Sequence, residues 1–236
     1  MRVFMDQYSL APNNLPSQVF QVGLSDLPTI VVVGAHDGIE GEQYGFMSFL
    51  EGLDNFKLYL IEPIGRYFDQ LYNVYGKFGD KVTYLNYAIS SDISGKAHMI
   101  DLGVMSYVDK MPEEWKKGDK LFSEAGESLS IIEVKSKTWQ GFVTENKIDT
   151  IDILLLDCEG HELNIISQMD FEKTKIKSIR YEYETLKKLS EHQSFFDPSY
   201  KTRLDKVLDC ILVERGYSIS LDQTDPTFNK VALTNV

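Results

Sequence analysis

Apolar residues along this chain fall into short unbroken runs separated by amphipathic stretches, the pattern of buried strands alternating with helices. The first run is Thr29-Ile30-Val31-Val32-Val33, β-branched and stopped by Gly34. Phe46, Met47, Leu50 and Leu53 then recur at helical spacing. Residues 57–61 predict a second strand, and Ile64, Phe68, Leu71 and Tyr75 mark one face of a helix that Gly76 or Gly79 should end. A third strand is predicted over 81–86, continuing through Tyr87, Ala88 and Ile89. His98, Met99 and Ile100 follow a Ser-rich turn as a short returning strand.

Residues 131–135 restore alternation, and Trp139, Phe142 and Val143 mark a short helix. Residues 151–156 form another buried run, ending in Asp157-Cys158-Glu159-Gly160-His161-Glu162. The helix expected next carries Leu163, Ile166 and Met169, with Glu159 and His161 in its first turn. Residues 176–184 predict a strand that also ends in acids, placing Glu182 and Glu184 on one side. A helix over 199–215, stopped by Gly216, leads to two strands at 217–221 and 230–233 around a short polar connection.

This alternation predicts an α/β fold: a Rossmann-like, doubly wound, mostly parallel sheet with an antiparallel C-terminal hairpin strand. A single domain spans 1–236, with residues 1–28 as an N-terminal arm. Residues 103–130 break the rhythm with Pro112, Gly118, Gly126, many charges and scattered Tyr107 and Trp115, so a lid or binding insertion is expected there.

Composition narrows the partners. With 43% hydrophobic residues the chain is globular, and a formal charge of −12 disfavours nucleic acid and anionic membranes. Cys158 and Cys210 lie in different predicted elements, without disulfide or zinc spacing. No leader pattern or apolar run of spanning length is present, so a cytoplasmic location is expected.

Ligands of such sheets sit beyond the carboxyl ends of the strands. That rim should gather Gly34, Glu62, Asn86 to Ala88, Asp157 to His161, and Glu182. A glycine turn between a buried strand and a helix lets backbone N–H groups approach a ligand. Glu62, 28 residues after Gly34, closes the second strand where a ribose diol would be held. The glycines do not spell the dinucleotide fingerprint, yet an NAD-dependent oxidoreductase shares the strand, turn and acid and stays open as an alternative.

The sequence resembles the FkbM family of S-adenosylmethionine-dependent methyltransferases, of the class I methyltransferase fold, over residues 29–233. The resemblance is carried by Val33-Gly34-Ala35-His36-Asp37-Gly38, Leu60-Ile61-Glu62-Pro63, Leu85-Asn86 with Ala88-Ile89-Ser90 and Gly95, Ile153 to Gly160 with Glu162, and Arg180-Tyr181-Glu182. His36 stands where the family usually has Asn.

The resemblance implies S-adenosylmethionine as cofactor and methyl transfer to a hydroxyl of a sugar, glycan or small natural product. Gly34 would admit the cofactor, and His36, Asp37 and Gly38 would hold its amino-acid end. Glu62 would take the ribose, Asn86 and Ala88 would flank the adenine, and Asp157 would contact the cofactor. The catalytic candidates are His161, Asp157 and Glu159. An unperturbed histidine suits general-base work near neutral pH, whereas Asp157 could instead cap the next helix. No metal is assigned, although Glu182 could complete a hard-oxygen site with Asp157 and Glu159. A methyltransferase fold serving only as a binding module is the third reading. Oligomeric state is left open.

Overall fold

The computed structural model describes residues 18–38, 45–101, 107–108, 130–196, 199, 201–227 and 229–234. In chain order the strands are β1 (Thr29–Val33), β2 (Lys57–Ile61), β3 (Val82–Leu85), β4 (Ala88–Ile89), β5 (Lys96–Asp101), β6 (Tyr107–Val108), β7 (Ser130–Lys137), β8 (Thr150–Leu156), β9 (Lys175–Glu182), β10 (Tyr217–Leu221) and β11 (Asn229–Thr234). The helices are α1 (Phe46–Glu51), α2 (Gly65–Tyr75), α3 (Trp139–Glu145), α4 (Glu162–Ser167), α5 (Glu184–Phe196) and α6 (Leu204–Glu214).

Seven strands form the main sheet in the order β10-β11-β9-β8-β1-β2-β3. All neighbours pair in parallel except β11, which is antiparallel to both β9 and β10. The doubly wound sheet with a reversed hairpin strand is therefore as the sequence predicts. Val31 and Val33 pack in one core layer with Leu154, Leu156, Ile179 and Tyr181, while Ile30 and Val32 join Leu58, Leu60 and Ile153 in the other. A strand covered on both faces needs this uninterrupted apolar run. Trp139, Phe142, Leu208 and Leu212 of α3 and α6 close the first layer; Phe46, Leu50, Leu71 and Tyr75 of α1 and α2 close the second. At about 1.5–3 kcal/mol per large buried side chain, this packing holds the strand ends in fixed positions.

Register then decides what the rim contains. Val33 pairs with both Ile61 and Leu156, Ile61 pairs with Leu85, and Leu156 pairs with Tyr181. Gly34, Glu62, Asn86, Asp157 and Glu182 are each at or next to one of these terminal pairs, so they leave the sheet in one row. At the opposite end, buried Asp152 accepts from Ser25 N at 2.9 Å, Thr29 N at 2.9 Å and Lys177 Nζ at 2.6 Å. Burial alone would push its carboxyl up, but these donors outweigh it and hold it below the usual value. They fasten the segment before β1 to β8 and β9.

A second sheet, β4-β7-β5-β6, was not foreseen. The strand expected over 81–89 breaks at Asn86 and Tyr87: β3 stays in the main sheet, while β4 pairs with β7 in the second. The reason is apolar burial, since Ala88 packs with Ile64, Ala97, Met99 and Val134 in a core of its own. Most of the expected insertion at 103–130 lies outside the described residues; within it, β6 pairs with β5 and residue 130 opens β7. Trp115 and residues 1–17 also fall outside them.

Three boundaries are corrected. β9 stops at Glu182, and Glu184 instead opens the unanticipated α5, where it pairs with Lys187 at 3.0 Å. The helix expected from 199 begins at Leu204, because Arg203 is extended and Ser190 Oγ accepts the Leu204 N–H at 2.8 Å. The helix expected to hold Glu159 and His161 in its first turn begins at Glu162. Left-handed Glu159 (φ 51°) and Gly160 (φ 96°) prevent an earlier start. Among the described residues no helix is long and apolar enough to cross a membrane.

Candidate active site

The rim is stitched by backbone before any side chain acts. Gly34 N and Ala35 N donate to Ile61 O at 3.0 and 3.1 Å, Glu62 N donates to Leu85 O at 3.0 Å, and Asp157 N donates to Val33 O at 3.0 Å. Gly34 takes φ 81°, and a Cβ there would lie 1.8 Å from the Asp157 carbonyl oxygen. Only glycine allows β1 to turn this close to the end of β8. Gly38 has a different cause: its missing side chain is replaced by the Tyr75 ring, 2.7 Å from an ideal Cβ.

Glu62, 4% exposed, braces that turn. Its Oε2 accepts from His36 N at 2.9 Å and its Oε1 from Ile64 N at 2.8 Å. A carboxylate oxygen accepts more than one hydrogen bond, so these contacts orient the group without exhausting it. His36 adopts φ 47°, stacks on Tyr67 with ring centroids 3.8 Å apart, and sets Nδ1 3.3 Å from Asp37 Oδ1. Asn86 donates its amide to the carbonyls of Glu62 at 2.9 Å and Pro63 at 3.2 Å, fixing the end of β2. Ala88 turns its side chain into the second sheet's core.

On the other side of Gly34 the rim is acidic. Carboxylate oxygens of Asp157, Glu159 and Glu182 lie within 4.8 Å of one another. Glu182 Oε1 accepts from Thr185 Oγ1 at 2.6 Å, and fully buried Glu162 accepts the Cys158 N–H at 2.7 Å. Asp157 is not the N-cap of α4, which has His161 there with no side-chain capping bond. Burial first, then the charges of Glu182 and Asp225, push the Asp157 carboxyl up to about 7. Burial, Glu182 and Asp157 push Glu159 up to about 8. Glu182 is raised as well, mainly by burial. The Cys158 thiol is also raised by burial and by neighbouring carboxylates, so it is no ready nucleophile.

These shifts have a consequence for stability. With raised carboxyl values, the folded chain binds more protons than the unfolded one between roughly pH 4 and pH 8, so stability falls as pH rises through that window. Asp152, Asp209 and Asp222, all lowered, contribute the opposite slope only below the ordinary aspartate value of 3.8. The urea midpoint of the metal-free chain should therefore drop from pH 5 to pH 8, and Asp157→Asn should flatten the drop. A midpoint that climbs over the same interval refutes this account.

His161 lines a cleft of about 410 Å³ together with Asn164, Ser90, Ser94, His98 and Glu133. The structure thus joins Gly34, His36, Glu62 and Asn86 in one network and Asp157, Glu159 and Glu182 in a second, with His161 among the residues that line the cleft. Glu162, Thr185, Asp225 and Tyr67 had no assigned role in the sequence. Glu162 was signalled as part of the acidic block that carries the resemblance; for the others proximity to the acidic blocks was the only signal, since their contacts depend on α2, α5 and the closing hairpin.

No curated protein matches the chain. Among solved structures, a precorrin-6y C5,15-methyltransferase from Geobacter metallireducens GS-15 is similar at 12% identity and TM-score 0.45, over 98% of this chain and 96% of that one. An O-methyltransferase from Bacillus cereus in complex with S-adenosylhomocysteine is similar at 10% identity and TM-score 0.47, over 89% and 75%. A SAM-dependent methyltransferase from Aquifex aeolicus is similar at 11% identity and TM-score 0.42, over 93% and 92%. The family model of the methyltransferase FkbM domain matches residues 33–219, from the last residue of β1 through the glycine turn, the three acidic strand ends and into β10. The chain belongs to the methyltransferase FkbM domain family.

Proposed function

We propose that the chain is an S-adenosylmethionine-dependent O-methyltransferase that acts on a hydroxyl of a sugar, glycan or small natural product. The observation that carries the reading is the Glu62-braced glycine turn, with a polar cleft lined by His161 at the end of the acidic turn that follows β8. Family membership replaces the oxidoreductase alternative.

The residues present fit the cofactor chemically. A buried carboxylate, already oriented by two backbone amides, stands at the end of β2 where a vicinal diol would donate to it. Asp37 and Asp157 offer negative charge to an ammonium and a sulfonium. The left-handed turn at Gly34 and His36 brings backbone close to whatever occupies the rim. Bound there, S-adenosylmethionine supplies a methyl carbon already activated by its sulfonium.

The chain's own work is orientation and proton transfer. Ser90, Ser94 and Asn164 in the cleft can hydrogen-bond several hydroxyls of one acceptor and so fix which oxygen faces the rim. That oxygen becomes an effective nucleophile when His161 takes its proton.

Calorimetry with S-adenosylhomocysteine tests the cofactor half of the reading. Glu62→Ala should weaken binding by about 10–150-fold, the equivalent of a lost charge-assisted contact of ~1.5–3 kcal/mol. Unchanged affinity would remove the ribose assignment. Mass spectrometry of hydroxyl-bearing metabolites and glycans incubated with S-adenosylmethionine tests the acceptor half. Tight cofactor binding with no methylated product across the panel would favour the binding-module reading.

A further inference from the structure

We propose that Asp157, Glu159 and Glu182 form a binding site for one hard divalent cation, magnesium or manganese, at the joined ends of β8 and β9. The register sets it up: Leu156 pairs with Tyr181, so Asp157 and Glu182 emerge side by side. The left-handed turn at Glu159 and Gly160 folds the third carboxylate back onto the first two. Their oxygens, within 4.8 Å of one another, need close by only a little. Two oxygens about 2.1 Å from one ion lie ~3–4.2 Å apart.

Acidic strand ends alone would not carry this; the donor count does. Glu182 is 8% exposed, and its Oε2 has no hydrogen-bond partner. Glu162, fully buried and within electrostatic reach of Glu182 and Asp157, likewise has an Oε2 without one. Buried carboxylate oxygens are costly to leave without a donor or a cation. Thr185 has a single hydroxyl proton, given to Glu182, and stands also against Glu159. Lys188 directs one positive charge toward Glu159 and Glu182, against four carboxylates. A cation with oxygen preference supplies what this set lacks, whereas an all-carboxylate donor set is poorly suited to softer metals.

The role of the ion rests on the methyltransferase reading, but its binding does not. An acceptor hydroxyl coordinated beside His161 would release its proton more readily and be held at a fixed position. The test is titration of the purified full chain with Mn²⁺, followed by calorimetry and by electron paramagnetic resonance of the free ion. One saturable Mn²⁺ per chain is expected, with affinity at least about tenfold weaker in Glu182→Gln and in Glu159→Gln. Thermal stabilisation by Mn²⁺ should appear in the wild type and shrink in both variants. Either variant suffices if the other does not fold. Absence of saturable binding, or binding that both substitutions leave intact, overturns the site. A chain that binds S-adenosylhomocysteine but not Mn²⁺ loses only the metal site; one that binds Mn²⁺ but not S-adenosylhomocysteine loses only the cofactor reading.

Discussion

Gly34→Ala should lower the unfolding free energy by about 2–5 kcal/mol, a large share of the ~5–15 kcal/mol typical of a domain. Two costs combine. An alanine at φ 81° is strained by about 1–2 kcal/mol whatever surrounds it. Its Cβ would also lie 1.8 Å from the carbonyl oxygen and 2.8 Å from the carbonyl carbon of Asp157. That carbonyl is backbone, and it cannot retreat, because Asp157 N bonds Val33 O and Leu156 is in register with Val33. The strands must part at the point where the cofactor turn and the acidic turn meet. Gly216→Ala provides the control. Its φ of 87° is similarly left-handed, but nothing lies within 4 Å of the new Cβ, so only the strain of about 1–2 kcal/mol is expected. Urea unfolding of both variants separates the contributions. Equal losses would show that the approach to Asp157 costs nothing and would sink the account of this turn.

His161→Ala should reduce turnover by about 10²–10⁴-fold while leaving S-adenosylhomocysteine affinity nearly unchanged. The side chain lines the cleft, and its backbone N–H donates to Cys158 O at 3.1 Å, which keeps the turn in place without the imidazole. Truncation therefore removes a proton acceptor more than it removes structure. Competition for the role comes from the neighbouring carboxyls, pushed up to about 7 at Asp157 and about 8 at Glu159. Activity remaining in His161→Ala should rise with pH through 7 to 8 as these carboxyls ionise. Wild-type turnover in the variant from pH 6 to 9 would transfer the base to Asp157 or Glu159.

How much of this was legible in the chain follows from which interactions are local. The run from Ile30 to Val33 could be read as a doubly buried strand because both faces demand apolar residues, and the structure places its alternate residues in two core layers. Gly34 and Glu62 were legible as a pair because a turn and an acid at successive strand ends occupy neighbouring places in a parallel sheet. Asn86 lies at the end of β3, where its amide serves the Glu62 and Pro63 carbonyls, a contact set by where β3 leaves the sheet. The break between β3 and β4 was hidden because apolar residues at 87–89 satisfy one continuous strand as well as two; the core of the second sheet decided between them. Periodicity also failed at 157–161, where two left-handed residues delay the helix and turn Glu159 toward Glu182.

Sequence by itself determined the alternation of buried strands and amphipathic helices, the glycine that only a tight turn requires, and the acids that close three strands. These features depend on side-chain type and short-range spacing, which hydrophobic burial and backbone sterics read directly. Tertiary structure decided which acids meet. Strand order put β9 beside β8, their register set Glu182 next to Asp157, and α5 brought Thr185 beneath them. Contacts between residues 25 positions apart are fixed by the packing of whole elements, and no local pattern in the chain encodes them.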